Sequence, residues 1–181
     1  KQTKINYDKN LNLDLKKLLK SINNKTNLVI LANPNSPTGT VMNQKTLLKL
    51  IKLCKKFNSY LLIDECYFGY YSKTVIKYVK TYNNLIVSRS LSKIGLAGCR
   101  IGYLIASKNT AKMLYKFRPF YEISSFSCLV FKSILKNKNI LTNYIKETLI
   151  GKMFLIDNFK RLKIEFFPTN TNFILVKLNS E

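Results

Sequence analysis

The pattern of apolar and polar positions predicts short strands that alternate with helices. Apolar runs, which are typical of strands in a parallel sheet, lie at residues 28–32, 60–63 and 85–87. They predict strands at 28–32, 60–63 and 85–88, and residues 102–106 predict a fourth. The run at 28–32 is apolar throughout, which predicts a strand covered on both faces. Apolar residues at a spacing of three or four predict helices at residues 14–22, 44–57, 74–81, 110–117, 124–135 and 140–162.

The order of these elements predicts the fold class. Strand, helix, strand, helix and strand in succession indicate right-handed crossovers and a largely parallel sheet. We therefore expect an α/β protein with a three-layer α/β/α large domain. A last strand-like run at 173–176, after a turn at Pro168, predicts the start of a small α+β domain. We place the large domain at 1–160, incomplete at its N-terminus, and the truncated small domain at 161–181.

Polar residues follow each of the first three predicted strands. A turn with two prolines and Gly39 follows the first strand, Asp64 ends the second, and Lys93 comes shortly after the third. Open α/β sheets bind ligands at the carboxyl ends of their strands. The sequence therefore places Asn35, Asp64, Tyr67 and Lys93 near one another.

The charge of the chain is strongly positive. The net charge is +22 over 181 residues, with 31 lysines and arginines. Only four of these are arginines, the residue that base reading and bidentate phosphate contacts favour, and the lysines are spread along the chain. This distribution favours solvated helix faces over a specific nucleic-acid surface. A basic protein that binds nucleic acid or an anionic surface remains an alternative from a different class.

The chain has no histidine and no Cys-x-x-Cys motif. The absence of histidine excludes a Ser-His-Asp or Cys-His nucleophile, and with scattered cysteines it argues against a zinc site, so no metal is predicted. The four cysteines are expected to be free thiols in a reducing compartment. Acid–base chemistry must then use Lys, Tyr, Asp or Glu.

The ends and the apolar runs of the sequence bear on its location. No apolar run reaches the roughly 18 residues of a membrane span. The first residues contain neither an initiator methionine nor a signal peptide. We expect a soluble, cytoplasmic chain that begins inside a longer protein and has no membrane partner.

Lys93 carries the first candidate chemistry. It lies between a pair of serines, Ser90 and Ser92, and a glycine-containing turn, with Arg100 seven positions later. A lysine at the end of a buried strand can form a Schiff base with an aldehyde cofactor, and the serines and arginine can hold that cofactor's phosphate. Taken alone, the short motif favours a solvated lysine at an ordinary exit from a strand, and two other segments of the chain change that balance.

Asp64 and two neighbouring features extend this hypothesis. A carboxylate at the end of an apolar strand can face the nitrogen of a pyridinium ring, or it can simply cap a helix. Tyr67 can donate its hydroxyl to the phenolic oxygen of such a cofactor, or serve as a core tyrosine. Asn35 or Ser36 can share that contact, although the two prolines also explain this turn by themselves.

Three segments together resemble a known family. They are Asn-Pro-Asn-Ser-Pro-Thr-Gly-Thr at 33–40, Asp-Glu-Cys-Tyr at 64–67, and Ser-Leu-Ser-Lys at 90–93 with Gly-Leu-Ala-Gly-Cys-Arg-Ile-Gly-Tyr at 95–103. In this order they resemble the class I/II aminotransferases, fold-type I enzymes that use pyridoxal 5′-phosphate, and within them the histidinol-phosphate aminotransferase-like branch. The resemblance extends from about residue 27 to 176, the middle of such an enzyme.

The resemblance implies an activity and partners. It implies transfer of an amino group between an amino acid or amino-phosphate and a 2-oxo acid, and a homodimer for the full-length protein. A pyridoxal-phosphate-dependent decarboxylase of an amino-acid phosphate is the alternative within the same chemistry, because it uses the same lysine and aspartate. An inactive scaffold is a third possibility, against which the joint presence of Lys93 and Asp64 argues.

The resemblance also implies residue roles. Lys93 is expected to bind the cofactor covalently and to shuttle the substrate's α-proton, while Asp64 pairs with the ring nitrogen and Tyr67 with the phenolic oxygen. The residues expected to bind the phosphate are Ser90, Ser92 and Arg100. Ser36 stands where the family usually has asparagine, so both Asn35 and Ser36 remain candidates. The spacing from lysine to arginine is one residue shorter than the commonest pattern, which predicts a tighter loop.

Some parts of the family pattern are not in the sequence. The family's earlier segment supplies a phosphate loop and an aromatic ring stacked on the cofactor, and its later segment supplies an arginine for the substrate carboxylate. We therefore expect this chain to be a fragment that by itself binds the cofactor weakly and has no turnover.

Overall fold

The centre of the molecule is a four-stranded, largely parallel sheet. The computed structural model describes residues 1–120, 122–137 and 139–178. The strands are β1 (Leu28–Ala32), β2 (Tyr60–Asp64), β3 (Leu85–Ser90) and β4 (Gly102–Ala106). They lie side by side in chain order, with β1, β2 and β3 parallel and β4 antiparallel to β3. The predicted α/β class is confirmed.

Five α-helices flank or follow the sheet in the described part of the chain. They are α1 (Leu15–Ser21), α2 (Gln44–Lys56), α3 (Lys108–Tyr115), α4 (Ser125–Lys136) and α5 (Asn139–Arg161). Asn43 caps α2 as predicted, since its side chain accepts a hydrogen bond from the backbone N–H of Thr46. Asp14, Ser107 and Ser124 cap α1, α3 and α4 in the same way.

One face of the sheet forms the main core. Leu61 and Ile63 of β2 and Leu85 and Val87 of β3 alternate along their strands and are fully buried. They pack against the apolar sides of α1 and α2, whose buried members are Leu18, Leu47, Leu50, Ile51 and Cys54. This packing fixes the strand ends that carry the polar residues.

The prediction that residues 28–32 are covered on both faces is wrong. Val29 and Leu31 of β1 pack against the core, but Leu28 and Ile30 point to the other face and are 48% and 67% exposed. β1 is an edge strand of this sheet. An apolar run alone does not show whether anything covers the second face.

Two further predictions differ from the structure. Residues 74–81, predicted as a helix, contain only the 3-10 turn Ile76–Tyr78, because Val75 and Val79 anchor a short irregular connection to the core. Of the predicted strand at 173–176, only β6 (Leu175–Val176) is regular, and it pairs antiparallel with β5 (Phe166–Phe167). The division into domains at residue 160 remains a prediction. Within the described residues, no helix is both long and apolar enough to cross a membrane.

Candidate active site

The carboxyl ends of β2 and β3 bring the central polar residues together. Asp64, the last residue of β2, lies opposite Ser88 of β3 in the parallel register. The backbone N–H of Asn33, the first residue after β1, donates to the Asp64 carbonyl at 2.8 Å. The turn after β1, Asp64 and the segment leading to Lys93 therefore meet at one edge of the sheet, as open α/β sheets favour.

The Asp64 carboxylate is held by one of its oxygens. Its Oδ1 accepts hydrogen bonds at 3.1 Å from the Ser88 hydroxyl and at 3.1 Å from the backbone N–H of Cys66. Among the described residues, both of these donors reach Oδ1, and the Cys66 thiol also interacts with the carboxylate through a hydrogen bond. These contacts fix the plane of the carboxylate at the end of β2.

Lys93 lies in a tight turn directly after β3. The turn is the π-type segment Ser92–Leu96, and Lys93 Nζ lies 5.8 Å from the centroid of the Tyr67 ring. Tyr67 is buried, with its ring edge-on to Phe173 at a centroid distance of 5.5 Å. In the part of the chain that the structure describes, Nζ makes no hydrogen bond or ion pair. An amine beside an aromatic wall is thus available for chemistry.

The charges of Asp64 and Lys93 both affect the pKa of the Cys66 thiol. Its pKa is raised from 9.0 to about 11, first by burial and then by the negative charge of Asp64, while the positive charge of Lys93 lowers it. Both side chains are therefore close enough to act on one thiol. The Cys66 thiol is therefore protonated and uncharged at neutral pH, and it adds no charge to the site.

The predicted phosphate-binding residues are only partly assembled. The Ser90 hydroxyl donates to the Ser92 hydroxyl at 2.8 Å and accepts from the Ser92 backbone N–H at 3.1 Å. Arg100 follows the 3-10 turn Ala97–Cys99 in a left-handed conformation with φ of 53°, and it is exposed. Its guanidinium has no partner among the described residues. The serines form one hydroxyl pair, which Arg100 does not contact.

Asn35 and Ser36 belong to the turn after β1. The Asn35 side chain donates to the Thr38 hydroxyl at 2.8 Å, and its backbone N–H donates to the Thr40 carbonyl. Ser36 is exposed and forms no side-chain hydrogen bond with the described residues. The structure shows no contact from either side chain to Tyr67 or Lys93, so the choice between them stays a prediction.

Sequence reasoning missed a buried ion pair next to the site. The Glu65 carboxylate lies 2.8 Å from Nη2 of Arg89, with side chains only 3% and 15% exposed. Glu65 also accepts hydrogen bonds from the Thr74 hydroxyl and the Val75 backbone N–H, and Arg89 lies over the ring of Phe68. The position of Glu65, directly after a buried strand, could have predicted this pair, because a buried carboxylate needs a positively charged partner.

Sequence reasoning also missed a contact from the C-terminal segment. The backbone N–H of Asn170 donates to the Gly39 carbonyl at 2.9 Å, and Phe173 is the residue that covers the Tyr67 ring. Asn170 and Gly39 are 131 positions apart, and no local sequence pattern indicates that two such distant residues are in contact. Residues 169–173 therefore form one wall of the site, against the turn after β1.

A comparison with known families identifies the family of the chain. The model of the family described as aminotransferase class I and II matches residues 1–181. The chain belongs to this family.

The relatives that match this chain include histidinol-phosphate aminotransferases. The chain is 36% identical, over 169 residues, to the histidinol-phosphate aminotransferase of Thermoanaerobacter sp. (strain X514), and the match covers 92% of this chain and 47% of that protein. The chain thus spans about half the length of the curated relatives it matches.

Solved structures share the fold. The histidinol-phosphate aminotransferase of Clostridium acetobutylicum superposes with a TM-score of 0.82 at 24% identity, covering 98% of this chain and 55% of that one. The histidinol-phosphate aminotransferase of Sinorhizobium meliloti, solved in complex with pyridoxal-5′-phosphate, gives a TM-score of 0.82 at 23% identity, covering 97% and 49%.

Proposed function

We propose that this chain carries the cofactor-binding core of a pyridoxal-phosphate-dependent aminotransferase. The observation that carries the proposal is the position of Asp64 at the end of β2 and of Lys93 in the turn after β3, close enough together that both charges act on Cys66. The donor set fits the cofactor, because it offers a carboxylate oxygen for a protonated ring nitrogen and an amine for an aldehyde. The hydroxyls of Ser90 and Ser92 can hold a phosphate.

Each residue then has a definite task. Pyridoxal phosphate, when bound, supplies the electron sink that makes the substrate's α-proton acidic. The Lys93 amine would hold the cofactor at its aldehyde carbon, and the free amine would be the group that moves the substrate's α-proton. Asp64, whose carboxylate is oriented by the Ser88 hydroxyl and the Cys66 backbone N–H, would keep the proton on the ring nitrogen.

The remaining residues orient the ring and the phosphate. Tyr67 is expected to donate its hydroxyl to the phenolic oxygen, a contact that Asn35 or Ser36 can share. Ser90, Ser92 and Arg100 are expected to bind the phosphate, with the exposed Arg100 guanidinium turning toward the dianion. These roles are supported by the positions of the residues and by their match to the family's motifs.

The proposed substrates are an amino acid or amino-phosphate and a 2-oxo acid. The relatives named histidinol-phosphate aminotransferase favour an amino-phosphate donor of that kind, and they favour transamination over decarboxylation of an amino-acid phosphate. We also propose that the whole protein is a cytoplasmic homodimer, which its relationship to biosynthetic enzymes supports. The lysine-rich surface requires no nucleic-acid partner.

The proposal is tested by trapping the cofactor. The purified protein is mixed with pyridoxal phosphate, reduced with borohydride, digested and mapped by mass spectrometry. We expect the phosphopyridoxyl group mainly on Lys93, and its loss in Lys93→Ala but not in Lys112→Ala, a substitution on the exposed side of α3. Label scattered over surface lysines, unchanged in Lys93→Ala, would refute the proposed site.

A further inference from the structure

A tyrosine outside the predicted site contacts the main chain of Lys93. The Tyr70 hydroxyl donates a hydrogen bond to the Lys93 carbonyl at 2.7 Å. We propose that Tyr70 is a positioning residue that fixes the Lys93 peptide and so aims the amine at the cofactor. This inference rests on the proposed function, because it assigns Tyr70 a task only if Lys93 binds an aldehyde.

The turn that carries Lys93 needs an external constraint. The two residues after Lys93 leave helical geometry, with φ and ψ of −115° and 37° at Ile94 and a φ of 92° at Gly95. Glycine in this left-handed region gives the chain more freedom than any other residue. The lysine amine also ends a flexible four-carbon stem. A hydrogen bond from another segment fixes the plane of the peptide from which that stem starts.

The approach of Tyr70 depends on the glycine before it. A Cβ at Gly69 would lie 2.9 Å from Cγ2 of Ile94 and 2.8 Å from Cδ1 of Ile145. Real Cβ atoms do not approach other atoms that closely, so a larger residue here would require Ile94 or Ile145 to shift, and glycine lets this segment pack against both the Lys93 turn and α5. The backbone N–H of Tyr70 donates to the Tyr67 carbonyl at 2.9 Å, which closes the turn after β2.

The Lys93 turn also packs against α5. A Cβ at Gly95 would lie 3.2 Å from the ring of Tyr144. The turn is therefore close to two aromatic side chains, Tyr70 from the segment after β2 and Tyr144 from α5. Only the first of these donates a hydrogen bond to the main chain of the lysine.

The Tyr70 hydroxyl is a suitable donor at neutral pH. Burial raises its pKa above 10.0, Thr148 and Asn172 act in the opposite direction through hydrogen bonding, and Tyr144 raises it further. The phenol is thus protonated and can donate under the conditions in which lysine chemistry takes place.

The test separates covalent bond formation from binding. The Lys93 amine attacks the aldehyde carbon of pyridoxal phosphate, a C=N bond forms and the aldehyde oxygen leaves as water; borohydride then adds hydride to that carbon. Pyridoxamine phosphate has an amine in place of the aldehyde and cannot make this bond. Its affinity therefore reports the pocket alone, while the label on Lys93 reports the position of the amine.

The decisive variant is Tyr70→Phe, which keeps the ring and removes the hydroxyl. We expect the initial rate of labelling at Lys93 to fall about three- to tenfold, the factor that the loss of one hydrogen bond corresponds to. The affinity for pyridoxamine phosphate should not change, and the midpoint of thermal unfolding should fall only by the few degrees that one lost hydrogen bond accounts for. The matched control is Tyr71→Phe, since the neighbouring Tyr71 is also half-buried but forms no hydrogen bond with the described residues.

The possible outcomes distinguish the two proposals. Undiminished labelling of Lys93 in Tyr70→Phe would overturn the positioning role and leave the proposed function intact. A parallel loss of labelling, pyridoxamine phosphate affinity and thermal stability would also overturn it, because Tyr70 would then be a structural residue. Scattered labelling in the unsubstituted protein would refute the proposed function and the positioning role together.

Discussion

At the scale of single residues, three side chains at the ends of β2 and β3 act on one another through charge. Burial and the negative charge of Asp64 both raise the pKa of the Cys66 thiol, and burial has the larger effect. The positive charge of Lys93 lowers this pKa. This makes the thiol a probe of the site that needs no cofactor. Cys54 is a built-in reference, because its pKa is raised to about 11 by burial alone.

We expect Asp64→Asn to lower the pKa of Cys66, since removing a nearby negative charge stabilises the thiolate. Lys93→Ala should have the opposite effect, because the lysine lowers that pKa. The measurement is the rate of iodoacetamide alkylation of each cysteine between pH 7 and pH 11, resolved by mass spectrometry. Cys54 should alkylate alike in all three proteins. An unchanged profile for Cys66 in both variants would mean that the two charges do not meet at this site.

At the scale of secondary structure, a buried ion pair joins the ends of two strands. Glu65 directly follows β2, and Arg89 is the fifth residue of β3. Nε and Nη2 of Arg89 both donate to one oxygen of Glu65, at 3.2 and 2.8 Å. Because each partner is adjacent to a predicted site residue, Asp64 or Ser90, this pair holds the two strand ends in register.

Glu65→Gln is expected to lower the free energy of unfolding by about 3 kcal/mol, because it leaves the arginine charge buried without a carboxylate. The matched control is Glu122→Gln, which breaks the exposed pair with Arg118 at 3.5 Å and should cost less than about 1 kcal/mol. Urea unfolding measures both. Equal small losses would show that the buried pair contributes no more than a surface pair.

At the scale of the whole molecule, the C-terminal segment closes on the turn after β1. The Asn170 backbone donates to the Gly39 carbonyl, and Lys152 of α5 donates to the Thr171 carbonyl at 2.8 Å. Burial of Lys152 lowers the pKa of its amine. These contacts tie residues 169–171 to both the sheet and the long helix, and so place Phe173 on Tyr67.

Gly39→Ala tests this contact. Gly39 has a φ of 69°, and a Cβ there would overlap Oγ1 of Thr169 and lie 3.1 Å from its Cα. We expect the free energy of unfolding to fall by at least about 1–2 kcal/mol, the cost of the left-handed conformation alone for a residue with a Cβ. Faster amide hydrogen exchange at residues 169–171 should accompany it.

The control is Gly151→Ala within α5, where a Cβ meets nothing within 4 Å. Alanine is the better helix former there, so this variant should gain about 0.5–1 kcal/mol. A Gly39→Ala protein as stable as the unsubstituted one would show that the segment does not rest on this turn.

Much of the fold could be predicted because it depends on neighbours in the sequence. The bounds of β1 and β4 match the predicted runs at 28–32 and 102–106, and the Asn43 cap was recognised because its side chain bonds within its own helix. The parallel order of β1, β2 and β3 followed from alternating strands and helices. The antiparallel direction of β4 was not predicted. The chain passes from β3 to β4 through two short tight turns, without the crossover helix that a parallel strand would need.

By itself, the sequence determined the α/β class, the family resemblance and the presence of Asp64 and Lys93 after successive strands, because motifs and periodicity are local properties of the chain. Only the tertiary structure showed that Glu65 forms an ion pair with Arg89 and that Tyr70 donates a hydrogen bond to the Lys93 carbonyl. It also showed that residues 169–173 lie against the turn after β1 and that one face of β1 is exposed. Such contacts join residues far apart along the chain. The physical reason is that burial and hydrogen bonding are satisfied between segments, and no local pattern specifies the partner.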